Sequence, residues 1–261
     1  MKYLVGDIGN TVTKITILDN KFKILKSYNS ETIKLYSEKN LSIFFKKIIV
    51  SNLNKKILFS SVVPVIYKKI KKFLNKRNFK SYEIKELKVN KVIKLNVNNF
   101  KQVGSDRIAN AIGSYKTYKR NCIVVDFGTA TTFDVVKKTG IYDGGVIAPG
   151  ITLSIKNLNK YTALLPIFNL KAKSKRYGKN TKEALNAGFL WGYQGLINNI
   201  LKKIFTSKVK YKVILTGGYA GVFKKYINQK SKVDENVTIN GIIQIYKQLL
   251  QWVKNNLYFA R

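Results

Sequence analysis

The chain has 261 residues and a formal net charge of +36, with 45% hydrophobic residues, no histidine and a single cysteine. That length suits two domains of about 110–150 residues, and the apolar share is too high for a disordered polymer. The lone Cys122 excludes an internal disulfide or a multi-thiolate zinc site, and no run reaches the roughly 18–20 apolar residues that cross a bilayer.

Apolar residues near the N-terminus predict strands over 3–6, 12–18 and 22–27, with a turn at Asp19-Asn20. Leu41, Phe44, Phe45 and Ile48 recur at helical spacing and predict a helix over 38–53. A buried strand over 56–63 follows, and Pro64 opens a helix to about Asn75, proline being tolerated in a first helical turn. Residues 81–84 predict a strand, and a helix runs from Gly104 to about Tyr118. A second hairpin comes next, then a strand over 141–148 closed by Pro149-Gly150, a helix over 151–159 and an irregular basic stretch over 171–179. Asn180 can cap a helix reaching about Phe205, with Glu183 placed to reach back. A strand over 209–215 ends at Thr216-Gly217-Gly218, and a last helix covers about 239–257. Alternating strands and helices predict α/β architecture. The order, hairpin first and helices later, occurs twice, so two related lobes are expected over 1–114 and 115–261. The final helix is able to pack back on the first lobe.

The charge does not by itself identify a partner. Arginine supplies only five of the 49 basic residues, at 77, 107, 120, 176 and 261. Nucleic-acid surfaces favour arginine, whose fork binds phosphate and base edges in pairs, whereas lysine is a point charge. Lysine is scattered here among much Asn, Ile, Tyr and Phe, a pattern that A/T-rich codons produce without any ligand. No nucleic-acid or membrane partner is expected, although so basic a chain attracts anions, nucleotides included. Only three apolar residues, Tyr3-Leu4-Val5, separate Lys2 from Gly6, too few for a signal-peptide core. With cysteine so sparse, a soluble cytoplasmic setting is expected.

A repeated motif carries more information. Leu4-Val5-Gly6-Asp7-Ile8-Gly9-Asn10-Thr11 and Val124-Val125-Asp126-Phe127-Gly128-Thr129-Ala130-Thr131 each place Asp-x-Gly after an apolar strand and before a β-rich run. One such turn is ordinary. Two in matched frames suggest facing hairpins that hold a metal-bound polyphosphate, with Gly9 and Gly128 letting backbone N–H groups approach an anion. Asn10, Thr11, Thr13, Lys14, Thr129, Thr131 and Thr132 add donors, and Asp7 and Asp126 offer oxygen to a hard cation. No P-loop motif competes for that role. Acidic residues number only 13. Five of them, Asp7, Asp106, Asp126, Asp134 and Asp143, lie in or beside glycine-rich apolar segments, where a carboxylate needs an explanation. Asp134 and Asp143 read as strand-end or turn residues.

These segments, together with Ser61-Val62-Val63-Pro64, Gly104-Ser105-Asp106-Arg107, Gly144-Gly145-Val146-Ile147-Ala148-Pro149-Gly150 and Thr216-Gly217-Gly218, occur in an order that resembles the type III pantothenate kinases. Those enzymes belong to the actin/hexokinase-like superfamily, and the resemblance spans essentially the whole chain. It implies an α/β fold of two ribonuclease-H-like lobes with an interlobe ATP cleft, and a homodimer whose interface helps form the pantothenate pocket. It further implies that Asp7, Ile8, Gly9, Asn10, Thr11, Val12, Thr13 and Lys14 cradle ATP phosphates. Thr129, Gly217 and Gly218 would meet the nucleotide. Asp126 would hold a monovalent cation, K⁺ or NH₄⁺, and with Asp7 help organise Mg²⁺. Gly104, Ser105, Asp106, Arg107 and Thr181 would bind pantothenate.

The residues support part of this independently. Phosphoryl transfer to an alcohol needs positioning, charge neutralisation and a proton acceptor. Without histidine a carboxylate is the default base, and Asp106 is the candidate. Arg107 can clamp a substrate carboxylate. The competing reading makes Asp106-Arg107 a helix-start pair placed by the helix dipole, and Thr181 a capping hydroxyl. The chain departs from the family pattern at Ser105, where alanine is usual, at Val97 in place of a tyrosine, and at Phe100 in place of a proline. Two rivals share the fold: a non-catalytic regulatory relative, and a kinase acting on another small hydroxylated acid or sugar.

Overall fold

A computed structural model describes residues 1–206 and 209–251. The described chain forms two compact units, one of Met1–Thr117, Gly140–Tyr142 and the residues from Asn236 on, the other of Tyr118–Thr139 and Asp143–Glu235.

The first unit is built on β1 (Lys2–Ile8), β2 (Val12–Leu18), β3 (Ile24–Glu31), α1 (Glu38–Lys46), β4 (Leu53–Ser61), α2 (Pro64–Asn75), β5 (Lys80–Glu83), β6 (Lys94–Leu95) and α3 (Ser105–Tyr118). Its main sheet has the order β3-β2-β1-β4-β5. β1 pairs antiparallel with β2 and parallel with β4, and β4 pairs parallel with β5. β1 lies at the centre and is apolar almost throughout, as a strand covered on both faces must be. Leu4, Ile8, Ile15 and Phe59 from the sheet meet Leu41 and Phe45 of α1 and Ile66 and Ile70 of α2 in one core.

Two boundaries of this unit differ most from the sequence expectation. The helix predicted over 38–53 stops at Lys46. The N–H groups of Ile48 and Ile49 both turn back to Phe45 O, and Asn52 adopts a left-handed φ of 61° before β4 begins. The branched run Ile48-Ile49-Val50 continues the apolar pattern but is a poor helix former, and Ile48 is buried from the turn instead. Phe22, expected to start the third strand, sits in the turn with φ 63°. There Asp19 accepts the N–H groups of Lys21 and Lys23, each at 2.8 Å, so β3 starts later and runs longer.

The second unit contains β7 (Cys122–Phe127), β8 (Ala130–Lys137), β9 (Ile141–Pro149), α4 (Ile151–Lys160), α5 (Thr181–Ile204), β10 (Lys212–Gly217), α6 (Ala220–Phe223) and β11 (Ser231–Val233). β9 starts in the first unit, where Ile141 and Tyr142 pair with β6. The strand order is β11-β10-β7-β8-β9, with β7 antiparallel to β8 and parallel to β10. That is the order of the first sheet repeated, β7 standing for β1 and β10 for β4. Ile123, Val125, Val213 and Leu215 pack against Leu190 and Ile197 of α5, and Phe127 stacks on Phe223 at 5.4 Å.

The last helix, α7 (Val237–Ile245), continues as a wider π-helical turn to Gln251. It belongs to the first unit, where Thr238 donates to Asn110 Oδ1 at 2.6 Å and Tyr246 donates to Lys56 O at 2.9 Å. Residues 252–257 of the helix expected from sequence lie outside the described residues.

Candidate active site

In the first unit the carboxyl ends of β1, β4 and β5 share one sheet edge, the place where open α/β sheets collect ligands. Asp7 on β1 pairs in register with Lys14 on β2 and Ser60 on β4. Gly9 donates to Val12 O at 3.1 Å and closes the three-residue loop Gly9-Asn10-Thr11. Ile8 is fully buried beneath it, whereas Asn10, Thr11 and Val12 are exposed and Lys14 is half-buried. Thr32, after β3, braces the loop from within. Its hydroxyl donates to Gly9 O at 2.7 Å, its N–H donates to Thr11 O at 2.9 Å, and it lies 2.9 Å from the buried Thr13 hydroxyl. Thr13 is therefore engaged inside the hairpin. Sequence reasoning did not find Thr32, because a threonine after an exposed strand carries no motif.

Beside this loop, Val62 donates to Ile8 O at 3.1 Å and ties the end of β4 to the end of β1. Gly104, which precedes α3, packs near the Val62 side chain. A Cβ at Gly104 would collide with Asp106 Oδ1, so glycine is what lets the Asp106 carboxylate fold back over the helix start. There it accepts the Arg107 N–H at 2.8 Å. Burial raises the proton affinity of Asp106 above the ordinary aspartate range, against the opposing pull of the Arg107 N–H, the Arg107 charge and Lys85. A carboxylate so placed is a stronger base than a solvated one. The Arg107 guanidinium lies 5.9 Å from the centroid of the Tyr142 ring. Ser105 is buried, and its hydroxyl donates to Glu83 at the end of β5. Glu83 was read from sequence only as part of a strand.

The second unit has an equivalent edge. Asp126 on β7 pairs in register with Thr132 on β8 and Thr216 on β10. The loop here is two residues, Gly128-Thr129, closed by Gly128 N–H to Ala130 O at 3.1 Å. Gly217 has φ 84°, and a Cβ on it would stand 2.7 Å from Asp126 Oδ1 and 2.6 Å from Phe127 O. Only glycine lets the end of β10 pass this close over the carboxylate, and Gly218 then donates to Phe127 O at 3.1 Å. Asp134 is buried and accepts from Thr132 at 3.4 Å, and Asp143 pairs with Lys137 at 3.0 Å.

Thr181 is the first residue of α5, but the cap is Asn180, whose side chain accepts the Glu183 N–H at 2.9 Å. Glu183 reaches back one residue further than a standard capping box, to the Lys179 N–H at 3.1 Å. With capping assigned to Asn180, the Thr181 side chain instead lines an apolar cavity of about 560 Å³ with Leu158, Leu165 and Phe189.

Among the described residues no three Asp, Glu, His or Cys side chains cluster as a metal cage, and no helix is long and apolar enough to cross a membrane. The mouth of each hairpin carries one carboxylate, Asp7 or Asp126, which suits a hard cation completed by phosphate oxygens and water. The buried hydroxyls of Ser60, across from Asp7, and of Thr131, beside the Asp126 loop, have no hydrogen-bond partner among the described residues.

A sequence model of the type III pantothenate kinase family matches residues 3–203. The chain belongs to that family. It is 45% identical over 244 residues to a Pelagibacter ubique protein named type III pantothenate kinase, an alignment that covers 92% of this chain and 97% of that one. Among solved structures, a conserved Campylobacter jejuni protein named for the Baf family of transcriptional activators matches with a TM-score of 0.60 at 23% identity. That match covers 94% of this chain and 98% of the other. The activator of 2-hydroxyisocaproyl-CoA dehydratase from Clostridium difficile, solved with bound ADPNP, matches with a TM-score of 0.59 at 13% identity, covering 100% and 98%. At these identities the structural likeness is one of fold. The fold of this type III pantothenate kinase family member is the actin/hexokinase-like one that the family resemblance implied.

Proposed function

We propose that this kinase transfers the γ-phosphoryl group of ATP to the primary hydroxyl of pantothenate, giving 4′-phosphopantothenate and ADP at the entry to coenzyme A biosynthesis. The carrying observation is that Asp106, a carboxylate of raised proton affinity, sits at a helix start tied through Gly104 and Ser105 to the strand ends Val62 and Glu83, on the sheet that carries the braced, lysine-bearing Asp7–Lys14 hairpin.

In this reading the backbone from Asp7 to Val12, braced through Thr13, and the Lys14 ammonium bind the ATP phosphates. Thr129, Gly217 and Gly218 approach the nucleotide. Gly104 and Ser105 shape the pantothenate site, Arg107 pairs with the pantothenate carboxylate, and Asp106 accepts the hydroxyl proton late in transfer. Asp7 would hold Mg²⁺, which would supply charge neutralisation, and Asp126 would hold K⁺ or NH₄⁺. Thr181 reaches the substrate from the rim of the apolar cavity. The exposed Leu153 and Leu164 on or near α4, beside that cavity, support a homodimer in which a second copy covers this face. The enzyme works in the cytoplasm.

A screen of small hydroxylated acids and sugars by ADP release tests the reading. ADP forms with pantothenate, Mg²⁺ and K⁺ or NH₄⁺ present, and a faster rate with another acceptor would replace pantothenate as the substrate. Specific DNA binding without ADP formation would favour the regulatory rival instead.

A further inference from the structure

We infer that Glu83 is a positioning residue for phosphoryl transfer, acting through Ser105 to set the place of Asp106. The inference rests on the reading of Asp106 as the base. Glu83 ends β5, the outer strand of the parallel set, paired in register with Phe59 of β4. It is only 9% exposed. A carboxylate buried to that extent is costly unless its oxygens are fully bonded.

One of its bonds leads to the candidate site and the other caps the short turn that follows β5. One oxygen accepts the Ser105 hydroxyl, and the other accepts the Lys85 N–H at 2.7 Å. The Ser61 N–H stands near enough to favour the charged carboxylate. Ser61 is the last residue of β4, immediately before Val62, whose N–H ties to Ile8 O beneath the glycine loop. Ser105 is the first residue of α3, immediately before Asp106. One buried carboxylate thus ties the end of β5, which pairs with β4, to the helix start that carries the base.

The Asp106 carboxylate is held by the N–H of Arg107, within its own helical turn, so any rotation of that turn displaces it. A buried Ser105 side chain bonded to Glu83 resists such a rotation. Glu83 is itself steadied from behind. Its N–H donates to Glu86 at 3.2 Å, and Glu86 is held by the Tyr67 hydroxyl at 3.3 Å and the Lys71 ammonium at 2.9 Å. The Ser105 hydroxyl is committed to Glu83, so its side chain serves this link. In this chain the serine and the glutamate act as a pair.

The test compares Ser105→Ala, Glu83→Ala, the double variant, Glu83→Gln and Asp106→Asn in steady-state kinetics with ATP and pantothenate. Ser105→Ala and Glu83→Ala each lower kcat by about tenfold while KM for ATP stays unchanged, the scale expected when a reacting group is misplaced by a fraction of an ångström. The double variant is no worse than either single one, since both remove the same link. Glu83→Gln keeps the wild-type kcat, because an amide still accepts from the Lys85 N–H and donates to Ser105 Oγ. A Glu83→Gln as impaired as Glu83→Ala would give Glu83 a proton or charge role and overturn the inference. Wild-type kcat in Ser105→Ala, with Asp106→Asn inactive, would also overturn it and leave the base assignment standing. Full activity in Asp106→Asn would remove the reading beneath it. Should Glu83→Ala fail to fold, Ser105→Ala decides alone.

Discussion

The two hairpins place an aspartate in the same frame and surround it differently. Asp7 lies between Lys14 and Ser60, and Asp126 lies between Thr132 and Thr216, at matching positions of sheets with the same strand order. The first loop is three residues long, exposed, and braced from within by Thr32. The second is two residues long and is followed across the sheet by Gly217, whose left-handed backbone passes over the carboxylate itself. A duplicated frame therefore yields two surfaces. One exposes Asn10, Thr11 and Val12 beside a half-buried lysine, which suits a polyanion, and the other confines a carboxylate beneath backbone, which suits a cation. What separates them is the element laid against each loop, and the strand pairing is common to both.

The largest test of this comparison is to remove each carboxylate. Asp7→Asn is expected to cut kcat by roughly 10²–10³, the scale seen when one group that stabilises transition-state charge is lost. Asp126→Asn is expected to raise the K⁺ concentration needed for half activity and to recover activity at high K⁺. Equal effects of the two variants on the K⁺ requirement would erase the distinction.

The glycines sharpen it next. Gly217→Ala forces a side chain into a left-handed position and against Asp126, and should destabilise the fold by about 1–3 kcal/mol in denaturant titrations. Gly9 lacks a positive φ, and a Cβ there meets only Val12 O, at 3.0 Å. Gly9→Ala should therefore cost less stability and show itself mainly as a higher KM for ATP. Thr32→Val sits between these cases. It removes the bonds to Gly9 O and Thr13, costs about 1–2 kcal/mol, and raises KM for ATP without altering the K⁺ requirement.

The smallest effect concerns Glu83, which belongs to neither hairpin. Burial raises its pKa in the folded chain, opposed by Ser105, the N–H groups of Lys85 and Ser61, and the Lys85 charge. A raised folded pKa gives stability that is complete below the unfolded value and lost as pH rises through the folded value. Glu83→Gln, permanently neutral, should melt above the wild type at neutral pH, and the two melting curves should converge on acidification.

Much of the fold was legible because central strands announce themselves as apolar runs, and the repeated Asp-x-Gly frame exposed the duplication. The helix end at Lys46 was not legible. Ile48 keeps the helical spacing yet is buried from a turn, and apolar periodicity cannot tell those two placements apart. In the candidate site, Asp7, Gly104 and Asp106 stood out because carboxylates and glycines are conspicuous in a lysine-rich chain. Thr32 and Glu83 did not, since their importance lies in partners more than 20 residues away, at Gly9 and Ser105. Thr181 was ambiguous between a capping hydroxyl and a substrate contact, and the bond from Glu183 to Asn180 settles the cap.

The central claim is that Asp106 accepts the proton of the pantothenate hydroxyl. Its most direct test is the pH dependence of kcat/KM for pantothenate in the wild type and in Asp106→Asn. The wild type should lose activity on acidification through a pKa above the ordinary aspartate value of about 3.9, because burial raises it. Asp106→Asn should fall by about 10²–10⁴ in rate and lose that acid limb while still binding ATP. A variant that keeps the wild-type rate and the same acid limb would contradict the account.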